Sequence, residues 1–254
     1  MKITAIAFNT FREAVRDKIF YNLLIFALLV IVASVLLGDL SIGQNEKFIK
    51  DIGLAAIALF GVLTAILVGI SLVYKEIDRR TIYTIISKPV HRYEFLLSKY
   101  FGLCLTLLVN VAIMAFFLFV IIWWKHYSPS LSLLTAILLI YFQLLLLTSI
   151  ALLFSTFSSP TMSAVFTIAI YIIGHLTSDL KEIGQTAQSK FSHYLINCLY
   201  YILPNFSNFN IRTEAVHGIN ISTTYVLGVI LYSGFYTAVV LLISILSFQK
   251  REFN

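Results

Sequence analysis

Within the apolar stretches of this chain, three polar side chains could bind or relay something: Asn110, Gln143 and His175. An amide among lipid-soluble residues can bond across to a neighbouring helix, so Asn110 and Gln143 are candidates for helix packing or for a polar pathway. A histidine could relay protons, but His175 stands near the end of its stretch, where a headgroup boundary suits it better. Outside these three, catalytic signatures are missing. The sequence has no His-Glu-x-x-His zinc motif, no Gly-x-Ser-x-Gly nucleophile elbow and no Asp-rich cluster for magnesium. It has no Gly-Lys pair anywhere, so no phosphate loop. Two cysteines, Cys104 and Cys198, are too few for a disulfide framework or a metal site. The chain is therefore not expected to be an enzyme or to hydrolyse ATP by itself.

The charged residues cluster in one place. Residues 73–102, VYKEIDRRTIYTIISKPVHRYEFLLSKYFG, hold six of the eighteen basic residues: Lys75, Arg79, Arg80, Lys88, Arg92 and Lys99. Across 76–87, Ile77, Ile82, Tyr83, Ile85 and Ile86 mix with Asp78, Arg79 and Arg80, so an amphipathic helix is expected. Pro89 would end it, because the residue before a proline avoids the helical region. Such a loop could sit on anionic lipid. Three interspersed acids, Glu76, Asp78 and Glu94, weaken lipid binding and suit a protein partner.

The elements around this loop follow from composition. The 254 residues are 59% hydrophobic and 12% charged, with a mean hydropathy of +0.92. Soluble domains carry about 25% charged residues, so the chain is read as an all-α membrane protein. Its net charge of +6 lies beside the apolar runs, where it sets topology, and no nucleic-acid partner is expected. Uncharged runs predict six transmembrane helices at about 19–38, 52–74, 100–124, 131–154, 160–177 and 219–248. The fourth and fifth are separated at 155–160, STFSSP, where Pro160 and small hydroxyls make a turn. Residues 1–18 place Ile3, Ile6, Ala7, Phe11, Ala14 and Val15 at helical spacing, which predicts an amphipathic helix lying on the membrane with Arg12 and Arg16 on its polar side. Residues 179–217 are read as an extracytoplasmic insertion, with a helical stripe through Phe191, Leu195, Ile196, Leu199, Ile202 and Leu203 that dips into the outer interface. Gly53, Gly61 and Gly69 recur every eight residues, as on one face of the second span, and could mark a close helix contact. Both termini are expected in the cytoplasm, since that side collects twelve Lys and Arg and the other side six.

The run from Lys75 to Gly102 resembles the first cytoplasmic loop of ABC-2 type permeases, the membrane subunits of ATP-binding-cassette exporters. That pattern has an acid, a Thr opening a helix, a Ser/Thr-x-Pro turn, an Arg, and a Gly- or Ser-Lys before the third span. Glu76, Thr81, Ser87, Pro89, Arg92, Ser98 and Lys99 fall at matching positions. Arg80 departs from it where the family often has Gly, and Ser98 replaces a common Gly. The FREAVRDK and LPNFSNFN stretches look most like the branch that includes the nitrous-oxide-reductase maturation permease.

The resemblance implies a single permease domain over 1–254. Residues 1–18 would be an elbow helix and 76–87 a coupling helix between spans two and three. Glu76, Asp78, Arg79, Arg80, Thr81, Tyr83 and Ser87 would contact a separate ATPase subunit, with 155–160 as a minor second contact. ATP and magnesium would be bound by that partner, and no cofactor by this chain. One chain would supply half a pathway, so a second permease copy is implied beside the ATPase dimer, all in a prokaryotic inner membrane. Lipid, lipid-linked glycan or a hydrophobic drug would suit as substrate, and mechanical work on a periplasmic partner stays open. The competing expectation is a scaffold or assembly factor whose basic loop binds lipid or another partner. A secondary transporter is disfavoured by the lack of intramembrane charges.

Overall fold

The computed structural model describes residues 2–40, 44–78, 92–128, 130–177, 200 and 203–250. Those residues form helices and connecting turns, with no strand among them. Helix α1 covers Lys2–Val15, α2 Lys18–Leu40, α3 Asn45–Asp78 and α4 Arg92–Trp124. Helix α5 covers Leu131–Phe157 and α6 Pro160–His175; a short 3-10 turn at Ser207–Phe209 leads to α7, Arg212–His217, and α8, Thr223–Lys250.

Five helices (α2, α3, α4, α5 and α8) are long and apolar enough to cross a bilayer. The fifth expected span is different. Helix α6 has 16 residues, about 24 Å at 1.5 Å per residue, and falls short of a roughly 30 Å hydrocarbon core. The sequence offers no charge to stop it before Asp179, but Leu176 caps it, its N–H bonding back to Ile172 and Ile173.

The other boundaries have local causes. Helix α1 ends in a turn at Arg16, and the Asp17 carboxylate accepts the Ile19 N–H at 3.0 Å, capping the start of α2. Between α5 and α6 the link is two residues, Ser158 and Ser159, both extended, with Pro160 in the first turn of α6. Extended backbone is what proline imposes on its predecessor. Near the end of α5 the hydroxyls of Ser155 and Thr156 donate to the carbonyls of Leu152 and Leu153, each at 2.7 Å. Internal bonding of this kind keeps polar side chains tolerable in hydrocarbon. Gly218, with φ +68°, closes α7 in a left-handed cap, and the Ile219 N–H reaches Glu214 O at 2.9 Å.

Helix α3 is the hub, packed on α2, α4 and α5, while α8 runs along α5 and α1 along the first turns of α4. The three glycines of α3 do not share a face. Eight residues advance a helix by about 800°, so each glycine is turned about 80° from the last. Accordingly Gly53 meets Leu118 and Gly69 meets Leu103, both on α4, whereas Gly61 meets Leu144 on α5.

Both described chain ends, Lys2 and Lys250, belong to helices that meet at one end of the bundle. There Ala14, Phe20, Leu72, Phe95, Leu103, Leu152 and Phe248 form one apolar cluster drawn from six helices. The opposite end holds the junctions of α2 with α3 and of α4 with α5.

Of the expected insertion at 179–217, residues 179–199, 201 and 202 lie outside the described residues, and of the stripe expected there only Leu203 is described. The described remainder is not an excursion from the bundle. Phe206, Phe209, Ile211 and Ala215 are buried in the main core with α3 and α5. Residues 203–211 turn back into the helices and seat on the end of α6. The Phe206 N–H donates to Gly174 O at 2.9 Å, and the Ser207 hydroxyl to His175 O at 2.7 Å. Irregular backbone is stable at such depth only where protein satisfies its polar groups.

Candidate functional site

Two places gather polar groups, one at each end of the bundle. At the terminal end, α1 lies on the start of α4. Its docking face is small: Thr10 and Ala14 are buried, and a side chain at Gly102 would meet the Thr10 Cβ at 2.6 Å and the Ala7 carbonyl at 2.7 Å. Only glycine permits this approach. One turn earlier, Lys99 is 1% exposed, with its ammonium 3.8 Å from the Glu13 carboxylate and 5.9 Å from the centre of the Phe95 ring. Burying a cation is costly unless an opposite charge and a π face replace its water. Glu13 and Phe95 supply both, and so hold α1 in register with α4.

Arg12 and Arg16 sit elsewhere. Both are exposed, and the Arg12 guanidinium lies 5.1 Å over the Phe8 ring on the outward side of α1. The expected partner-binding residues mostly escape description: Arg79, Arg80, Thr81, Tyr83 and Ser87 lie outside the described residues. Glu76 and Asp78 are the exception. Their backbone continues α3, so the helix expected to begin at Glu76 opens as the last turn of the second span. The loop thus runs from the end of α3 to Arg92, seven residues before Lys99.

At the far end, acids and bases interlock. Lys125 bonds Asp39 at 2.9 Å, joining α4 to α2. Lys50 pairs with Glu46 and donates to Ser128 O at 3.1 Å. Arg212 grips Asp51 through two guanidinium N–H groups, Nη2 to Oδ2 at 2.8 Å, tying α7 to the start of α3. Three of the six basic residues expected on this side are therefore ion-paired, which lowers its effective positive charge further.

Beneath Arg212 lies a cavity of about 220 Å³ bounded by α3, α5, α6 and the returning segment. Its polar wall is Gln143, Tyr171, His175, Asn210 and Arg212; Leu54, Ala58 and Ile140 are among the carbon side. His175 packs on Tyr171 and, nearly parallel, on Phe206. Its Nδ1 lies 3.1 Å from Tyr171 O, so the neutral ring donates there and keeps Nε2 as an acceptor. The structure thus brings Gln143 and His175 together, with Arg212 as a third member that sequence reasoning missed. Asn110 is not part of this group. It is buried between α4 and α3 and donates to the Thr64 hydroxyl at 3.0 Å, which donates in turn to Phe60 O at 2.7 Å. That is interhelical bonding.

Among the described residues no group of His, Cys, Asp and Glu could hold a metal ion. The arrangement offers a joint at one end and a polar recess at the other. No curated protein matches the sequence. The family described as ABC-2 family transporter protein matches residues 4–253, nearly the entire chain. On that match the chain belongs to the ABC-2 transporter family, as an integral-membrane permease component that pairs with an ABC ATPase subunit.

Proposed function

We propose that the chain is the transmembrane subunit of an exporter and works beside a second permease copy in a prokaryotic inner membrane, with both termini cytoplasmic. ATP and magnesium are bound and turned over by the partner ATPase. That ATPase docks on the loop between α3 and α4 through Glu76, Asp78, Arg79, Arg80, Thr81, Tyr83 and Ser87. The observation that carries this reading is the joint between α1 and α4. A push delivered at the loop enters α4 at Arg92 and within about 10 Å of helix reaches Lys99, where Glu13 engages α1. The N-terminal helix then acts as an elbow that moves with the third span. Twelve basic residues on the terminal side, against six opposite, support the orientation. The far-end recess would receive a polar group of the substrate, with Gln143 and His175 as acceptors and donors.

The test is co-purification of tagged protein from native membranes, wild type against Arg79→Glu/Arg80→Glu. An ATP-hydrolysing subunit retained by wild type and lost from the variant supports the docking assignment. The same ATPase retained by both places the contact elsewhere. No ATPase with either protein favours the scaffold reading.

A further inference from the structure

A second hollow, of about 560 Å³, lies between α8 and the returning segment. Along α8 it runs from Tyr232 to Ile243, eleven residues or about 16 Å of helix. Its size falls in the range of about 300–1,000 Å³ usual for ligand sites. The polarity is graded along its length. At one end stand Asn205 and Asn208, where the Asn205 N–H donates to the Tyr232 hydroxyl at 2.9 Å. At the other, Val239, Val240 and Ile243 offer only carbon. The hollow also opens sideways, since Phe235 on its rim is 75% exposed and Ile243 49% exposed. Beside Val239, Val240 and Ile243 a water would lack the two to four polar partners that order it. What surrounds that opening on a spanning helix is hydrocarbon.

We propose that this groove holds one acyl chain of a bilayer phospholipid, drawn in beside α8 with the polar end of the molecule toward Asn205 and Asn208. The fit rests on the groove's graded polarity and lateral opening. It depends only on the chain being integral to the membrane, not on export. A chain lodged there would fix the returning segment against α8 and would exchange more slowly than lipid on the convex face of α2.

The test uses full-length protein in phosphatidylcholine vesicles doped with a phosphatidylcholine that carries a diazirine midway along one chain. After illumination, labelled peptides are mapped by mass spectrometry. The expected result is several-fold more label on 232–243 than on the exposed face of α2 around Phe26, Leu29 and Leu36. Val239→Trp, which fills the groove from its lipid side, should bring α8 down to the α2 level. Val239→Phe, a smaller change, should give an intermediate value and serves where the tryptophan disturbs folding. Equal labelling of α2 and α8 in wild type would overturn the proposal, as would label on 232–243 that neither variant alters. Protection of the groove from lipid in a dimer would assign it to a second copy, and would overturn it too.

Discussion

The terminal and far ends of the bundle are held together by different forces. At the terminal end six helices share one carbon cluster, and Lys99 is buried against it beside Phe95 and Glu13. At the far end ion pairs and backbone hydrogen bonds are added to an apolar core that takes in Phe206 and Phe209, and that layer borders a recess of about 220 Å³. Close packing transmits displacement because it has few alternative arrangements. A hydrogen-bonded layer around a cavity can exchange partners and admit a guest. On the proposed function, that difference would suit the terminal end to transmission and the far end to accommodation, within the same helices.

That contrast can be broken first at the far end. Phe206 is fully buried on Gly174, so Phe206→Ala should cost about 3–5 kcal/mol. Thermal unfolding in detergent would read this as a lower Tm, and failure to lower it would show the returning segment contributes little. At the terminal end, Gly102→Leu forces α1 off α4, because backbone blocks the new side chain. The expected loss is about 1–3 kcal/mol, with protease access to residues around Phe11 as its specific signature. Glu13→Gln removes the charge facing Lys99, and because Glu13 is 38% exposed, screening holds the loss to about 1 kcal/mol. Lys99→Met should leave unfolding nearly unchanged while lowering ATP-driven work, which separates a joint from a staple. The smallest effect belongs to the span interior. A double-mutant cycle of Asn110→Leu and Thr64→Val should return a coupling near 0.6 kcal/mol, typical of hydrogen bonds between membrane helices.

Much of the bundle was legible because uncharged runs of adequate length have few alternatives in a bilayer. Pro160 marked the turn between α5 and α6 for a similarly local reason. The returning segment was not legible. Phe206, Phe209 and Ile211 alternate with Asn205, Ser207, Asn208 and Asn210, which reads as a polar loop until Gly174 O, His175 O and the Tyr232 hydroxyl are found waiting for its polar groups. Helix α6 covers 160–175 of the expected 160–177; the expectation runs further because apolar residues continue to Leu176 and no proline or charge intervenes. Lys99 was noticed as part of a motif, but its partner Glu13 is remote in sequence, and spacing could not connect them. Glycine at 102 carried a usable signal: a residue without a side chain, one turn after a lysine at the start of a span, marks a place where another backbone comes close. Of the residues expected in the coupling helix, only Glu76 and Asp78 fall on described backbone, so that site stands on sequence pattern and family membership.

The central claim is that α1 and α4 move as one body when the partner ATPase works. Double electron–electron resonance on the purified permease–ATPase assembly tests it directly, with Cys104 and Cys198 replaced by serine. One label pair would be placed at Phe8 and Leu105, across the joint, and another at Leu105 and Val165, between α4 and α6. The account predicts an unchanged Phe8–Leu105 distance between the nucleotide-free and ATP-trapped states, while the Leu105–Val165 distance shifts. A Phe8–Leu105 distance that changes while Leu105–Val165 stays fixed would contradict it.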